Sequence, residues 1–115
     1  MNRIKDDKYY LEKVLKDLSY LLKMTAGVTK SELEINEMML DSIMFRFIQI
    51  SDNLKRIEES TKEKNMHIPW MLISGLRNKI VHEYGRIDLS IIYEVLKNDL
   101  IKLYNDINKL VEIMP

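Results

Sequence analysis

Apolar residues recur along this chain at intervals of three and four, the spacing of buried helical faces. Leu11, Val14, Leu15, Leu18, Leu21 and Leu22 set a first helix from about Lys5 to Met24, and Gly27 in the Thr25–Thr29 break suits a C-terminal cap. Ser31 with Glu34 three residues later reads as a capping box and predicts a second helix reaching about Glu59. Leu40, Ile43, Phe47, Ile50, Leu54 and Ile57 make its buried stripe, in a three-four alternation suited to shallow antiparallel packing. Met38, Met39, Met44, Phe45 and Ile48 fall off that stripe, so this helix is too apolar to bury a single face. It sits centrally in the bundle, or its second face meets another subunit.

Ser60 to His67 is polar and reads as a loop. Pro69 suits the first turn of a third helix, whose end falls at Glu83 or Tyr84 before a tight Gly85-Arg86 exit. Asp88 is a good N-cap for a fourth helix, with Ile87 and Ile92 placed for a hydrophobic staple. Leu89, Ile92, Leu96, Leu100, Leu103, Ile107, Leu110 and Met114 carry that helix to the end of the chain. The expectation is a single all-α domain over residues 1–115, an up-and-down bundle of four main helices with the fourth open to a kink into two.

Composition agrees and removes several function classes. Three Gly and two Pro in 115 residues favour long uninterrupted helices. With no Cys, disulfides, thiol catalysis and thiolate metal sites are excluded. No apolar run approaches the ~20 residues that span a bilayer, and Met1 to Lys8 holds no apolar signal segment, so a cytoplasmic protein without a membrane partner is expected. Eighteen basic residues balance eighteen acidic ones. Bulk non-specific nucleic-acid binding is therefore disfavoured, and any RNA must be engaged locally; no DNA partner is expected.

The chemistry concentrates in Arg77-Asn78-Lys79-Ile80-Val81-His82-Glu83-Tyr84. A guanidinium stays charged near neutral pH and an imidazole titrates there. Together they suit holding a phosphate while moving a proton beside it. At ~100° per residue, Trp70, Ile73, Arg77, Ile80 and Tyr84 fall on one stripe, while His82 points about 140° away from Arg77. One straight helix cannot stack the two. A distorted helix end near Gly85, or two copies of the helix facing each other across a dimer, would bring them together. Spacing alone leaves a plainer reading open: a surface histidine favoured near a helix C-terminus, with Arg77 pairing a carboxylate at the core edge. His67 and the loop lysines Lys62 and Lys64, with Arg86, read as solvated; the eight Met and Tyr9, Tyr10, Tyr93 and Tyr104 read as packing or rim residues. No phosphate loop, nucleophile elbow or zinc signature occurs.

Arg77-x4-His82-x-Tyr84, flanked by Ile68-Pro69-Trp70-Met71-Leu72-Ile73-Ser74-Gly75-Leu76 and by Gly85-Arg86-Ile87-Asp88, resembles the signature of HEPN-domain proteins. Within them the chain looks like the HepT-like toxin branch, specifically over residues 68 to 88 and loosely elsewhere. The resemblance implies a HEPN-like homodimer acting as a metal-independent ribonuclease toxin on RNA, tRNA among the candidates. It needs no cofactor and is paired with a cognate minimal nucleotidyltransferase antitoxin. By position it implies Arg77 and His82 as the catalytic pair, Asn78 in support, and Tyr84 as the acceptor of AMP from the antitoxin. Where the family often carries Gly-Glu midway along the second helix, this chain has Ser51-Asp52, which puts the carboxylate of Asp52 on a shorter arm. The rival class is a non-catalytic helical subunit that binds a nucleotide or steers a nucleotidyltransferase.

Overall fold

Polar side-chain caps set where four of the helices begin, and at Thr29 and Asn36 they override the apolar pattern. The computed structural model describes residues 5–83 and 85–115. Helix α1 spans Asp7–Met24; Asp6 caps it by accepting the Tyr9 N–H at 3.0 Å, and Leu11, Val14, Leu18 and Leu21 are buried. Thr25 closes it through Leu21 O, and Gly27 turns the chain at φ 73°.

The expected second helix is two. α2 (Lys30–Ile35) is capped by Thr29, whose hydroxyl accepts the Glu32 N–H at 3.1 Å, two residues ahead of the expected Ser31 cap. Thr29 and Glu32 carry the same capping spacing as Ser31 and Glu34, and the earlier pair sits next to the break. Asn36 then interrupts the helix, with its side chain accepting the Met39 N–H at 3.0 Å, and α3 runs Glu37–Lys55. An Asx side chain that bonds forward along the backbone competes with helix continuation. Glu59–Lys64, expected as loop, forms the short helix α4, which buries no residue. Its support is polar: Asp7 accepts the Glu58 N–H at 3.1 Å and the Thr61 hydroxyl.

The third long helix, α5 (Leu72–Glu83), starts three residues later than Pro69 suggested. Pro69 lies in the preceding turn, where its carbonyl accepts the Leu72 N–H, and Trp70 is anchored there by its indole N–H on Asn65 O at 3.0 Å. Asp88 caps α6 (Leu89–Glu94) on the Ser90 N–H as expected. A π-helical turn over Val95–Asp99 joins α6 to α7 (Leu100–Ile113), so the fourth long element carries its irregularity in mid-span.

The long elements form one all-α bundle, with no strand among the described residues. α1 packs on α3 and α7, α3 on α5, and α2 on α3 and α6. Phe47, Ile43 and Ile50 of α3 meet Leu11, Val14 and Leu18 of α1 and Leu100, Leu103 and Ile107 of α7 in a continuous buried core. Each such side chain contributes about 1.5–3 kcal/mol by leaving water. Lys30 Nζ on Ser90 Oγ and Lys97 Nζ on Thr25 O add polar ties between elements. Among the described residues no helix is long and apolar enough to cross a membrane.

Candidate active site on α5

α5 has two faces with different jobs. Ile73, Ser74, Leu76 and Ile80 are buried towards α3, and the three- and four-residue steps between the apolar members explain why this segment is a helix. Met71, Gly75, Asn78 and His82 are all exposed, and their steps of four, three and four put them on one outward stripe. Arg77 lies on the stripe of the buried Ile73 and Ile80. It is half-buried, and its Nε is buried without a hydrogen-bond partner. Burial of an unpaired guanidinium N–H is costly.

The structure places the expected residues without joining them. Arg77 and His82 leave α5 on different sides, as five residues of α-helix require. Asn78 is exposed on the histidine's stripe. Asp52 is exposed on the outer side of α3, in line with Met38 and Phe45 at steps of seven. Its neighbour Ser51 is the residue that is buried, and the Ser51 hydroxyl has no partner either. No side-chain hydrogen bond or ion pair joins Asp52, Arg77, Asn78 and His82 to one another. Tyr84 lies outside the described residues. Gly85 follows at φ 87°, a backbone geometry that favours glycine, and the Arg86 N–H closes the turn on Glu83 O at 2.8 Å.

α3 packs against α5. Leu40 and Met44 share a cavity of about 220 Å³ with Gly85, Ile87 and Leu89. The outer surface of this two-helix layer is apolar around a polar centre: Met38 is 84% exposed, Phe45 56% and Met71 77%. The off-stripe residues of α3 divide accordingly, with Met44 buried, Met39 and Ile48 partly buried, and Met38 and Phe45 left on the surface. A side chain at Gly75 would meet nothing within 4 Å.

The remaining candidates stay apart from this layer. His67, Lys64 and Arg86 are exposed, and Lys62 faces its own neighbour Glu59 at 3.7 Å. Among the described residues no group of three His, Asp or Glu side chains is arranged to hold a metal. One cationic cleft between α1 and α3 was not anticipated from the sequence, although Lys16, Tyr20 and Lys23 at steps of four and three were its signal.

A family model described as Ribonuclease HepT-like matches residues 14–110. A Methanocaldococcus jannaschii protein named as a gamma-glutamylcyclotransferase and a provisionally assigned RNase is 29% identical over 94% of this chain. The chain spans about half the length of that relative, 49%. A provisionally assigned RNase of Caldanaerobacter subterraneus is 24% identical, covering 95% of this chain and 97% of its own. A Thermococcus cleftensis protein, provisionally named ribonuclease HepT, is 21% identical over 90% of this chain and 94% of its own. No solved structure matches the chain.

Proposed function

The chain belongs to the HepT-like ribonuclease family, and from that premise we propose that it is a metal-independent endoribonuclease toxin working as a homodimer. Arg77 of one protomer and His82 of the other serve one phosphodiester. The observation that carries this reading is the division of α5: a half-buried arginine with an unpartnered Nε, and an exposed histidine on another side of the same helix. Either residue alone makes half a site. A second copy laid against the outer stripe supplies the missing half. The exposed Met38, Phe45 and Met71 give that contact its apolar area, and Gly75 lets two helices approach closely.

The chemistry follows from the substrate, since RNA carries its own nucleophile. His82 takes the proton of the 2′-hydroxyl, the 2′-oxygen bonds to phosphorus, and the bond from phosphorus to the 5′-oxygen breaks. The departing oxygen takes up a proton, leaving a 2′,3′-cyclic phosphate and a 5′-hydroxyl. Arg77 places paired N–H donors on the non-bridging oxygens, where charge grows in the transition state. Asn78, next to Arg77 and on the histidine's stripe, orients the phosphate or the ring. Asp52 supports the site from α3.

Control of the toxin falls to a cognate minimal nucleotidyltransferase that transfers AMP to Tyr84. An added nucleotide there brings bulk and negative charge to the place where substrate phosphate binds, and both oppose RNA. The deciding assay is RNA cleavage in chelator by the parent and by an Arg77→Ala/His82→Ala protein. Cleavage by the parent alone supports the reading, and equal rates would overturn it.

A further inference from the structure

The groove on the opposite flank of α3 from α5 has a chemistry of its own. Lys16, Ser19, Tyr20 and Lys23 of α1 and Arg46 of α3 line an open cleft of about 310 Å³. At ~100° per residue Lys16, Tyr20 and Lys23 fall within about 60° of one another, one stripe aimed into the cleft. Arg46 is fixed twice: its Nη1 lies 2.6 Å from Asp17 Oδ1, and its guanidinium carbon lies 3.9 Å from the centre of the Tyr20 ring. A guanidinium has five N–H donors in a rigid fork. The Asp17 bond leaves most of them free and already oriented.

Tyr20 keeps 41% of its surface exposed beside these cations. The negative charges nearby are few. Asp17 is buried behind Arg46 and paired with it. Glu12 lies one turn before Lys16, at the end of the stripe, and is already engaged. On α3 the positions that share Arg46's side, Ser42, Gln49 and Asn53, are uncharged hydrogen-bonding residues. In a chain whose charges otherwise cancel, this is a local positive excess with an aromatic ring at its centre.

We propose that the α1–α3 cleft is a single-stranded RNA subsite, in which Lys16, Lys23 and Arg46 take backbone phosphates and Tyr20 stacks a base. This rests on the ribonuclease reading and extends it to where the substrate is gripped. Cations that follow a backbone beside an exposed ring are the combination that holds single strands without reading sequence. A neutral chain cannot hold RNA by bulk charge, so a concentrated patch is required. The cleft lies about one helix diameter, 10–12 Å, from the α3–α5 layer. It therefore holds nucleotides a few positions away from the bond that is cut. An acidic protein surface would use the lysines and leave the ring idle, and that difference is measurable.

The test is fluorescence anisotropy of a labelled single-stranded RNA on the full chain, with His82→Ala present to stop turnover. Lys16→Gln/Lys23→Gln should weaken binding roughly 10-fold and lower the slope of log affinity against log salt by about 1.4, two contacts at ~0.7 each. Tyr20→Ala should cost roughly 5- to 100-fold, and Tyr20→Phe should bind as the parent does. In the active background, cleavage of a dinucleotide too short to reach the cleft should keep the parent rate in the lysine variant. Unchanged affinity and slope in the lysine variant overturn the proposal. A lysine effect without a Tyr20→Ala effect overturns the single-strand assignment in favour of an acidic partner. Lysine-dependent binding by a parent that cuts nothing keeps the cleft and removes the nuclease. Cleavage with lysine-independent binding does the reverse.

Discussion

Arg46 Nη1 stands 2.6 Å from Asp17 Oδ1 across the seam between α1 and α3, joining the two helices by charge. The two side chains are 13% and 29% exposed for Asp17 and Arg46, so water screens the pair in part. Removing one partner of a fully buried pair costs about 3–5 kcal/mol, and exposed pairs contribute ~0–1 kcal/mol. Asp17→Ala should fall between, destabilising by about 1–2 kcal/mol in urea unfolding, with Asp17→Asn milder because its amide oxygen can still accept from Arg46.

Gly75 offers a clean separation of folding from assembly. Its α5 position is exposed and open, so Gly75→Ala should raise stability by about 0.5–1 kcal/mol through helix propensity. Gly75→Trp should keep the helical far-ultraviolet spectrum and shift the protein to monomers in sedimentation. A Trp variant that sediments as the parent does would remove α5's outer stripe from the proposed interface.

Arg77→Ala and His82→Ala proteins should each lose activity by about 100- to 10,000-fold. Mixed and re-equilibrated, they should recover cleavage, because a heterodimer rebuilds one site from the intact arginine of one chain and the intact histidine of the other. Mixtures as inactive as their components would show that both groups act within one protomer.

Incubation with the cognate nucleotidyltransferase and ATP should add one AMP to the parent and none to Tyr84→Phe, read by intact-protein mass. The adenylylated parent should bind RNA more weakly than the bare one. A modified peptide that excludes Tyr84 would move the site.

Much of the fold was legible because buried helical faces write themselves at three- and four-residue steps. Leu11, Val14, Leu18 and Leu21, then Ile43, Phe47, Ile50 and Leu54, are the buried stripes that the spacing picks out. The misses are places where hydrogen bonds outweigh apolar periodicity. Asn36 caps α3 from inside what reads as one helix, and Asp7 holds α4 by bonds from Glu58 and Thr61, more than fifty residues away in sequence. A one-dimensional pattern does not register such long-range support. On α5 the helical wheel already separated Arg77 from His82, and the burial of the one and exposure of the other follow it. That Ser51, and not Asp52, enters the buried layer depends on which side of α3 meets α5, and periodicity in α3 alone leaves that open. The α1–α3 cleft was harder, because Arg46 joins Lys16 and Lys23 only once two helices are docked.

The π-helical turn at Val95–Asp99 has an evolutionary consequence. Its backbone bonds reach one residue further than α-helical ones, so the turn stores a single extra residue inside an otherwise regular rod. Excising one residue from this turn would let the rod close into an unbroken α-helix, at the expense of rotating α7 relative to α6. Length variation of one residue between related chains can be absorbed here without shortening either flanking segment.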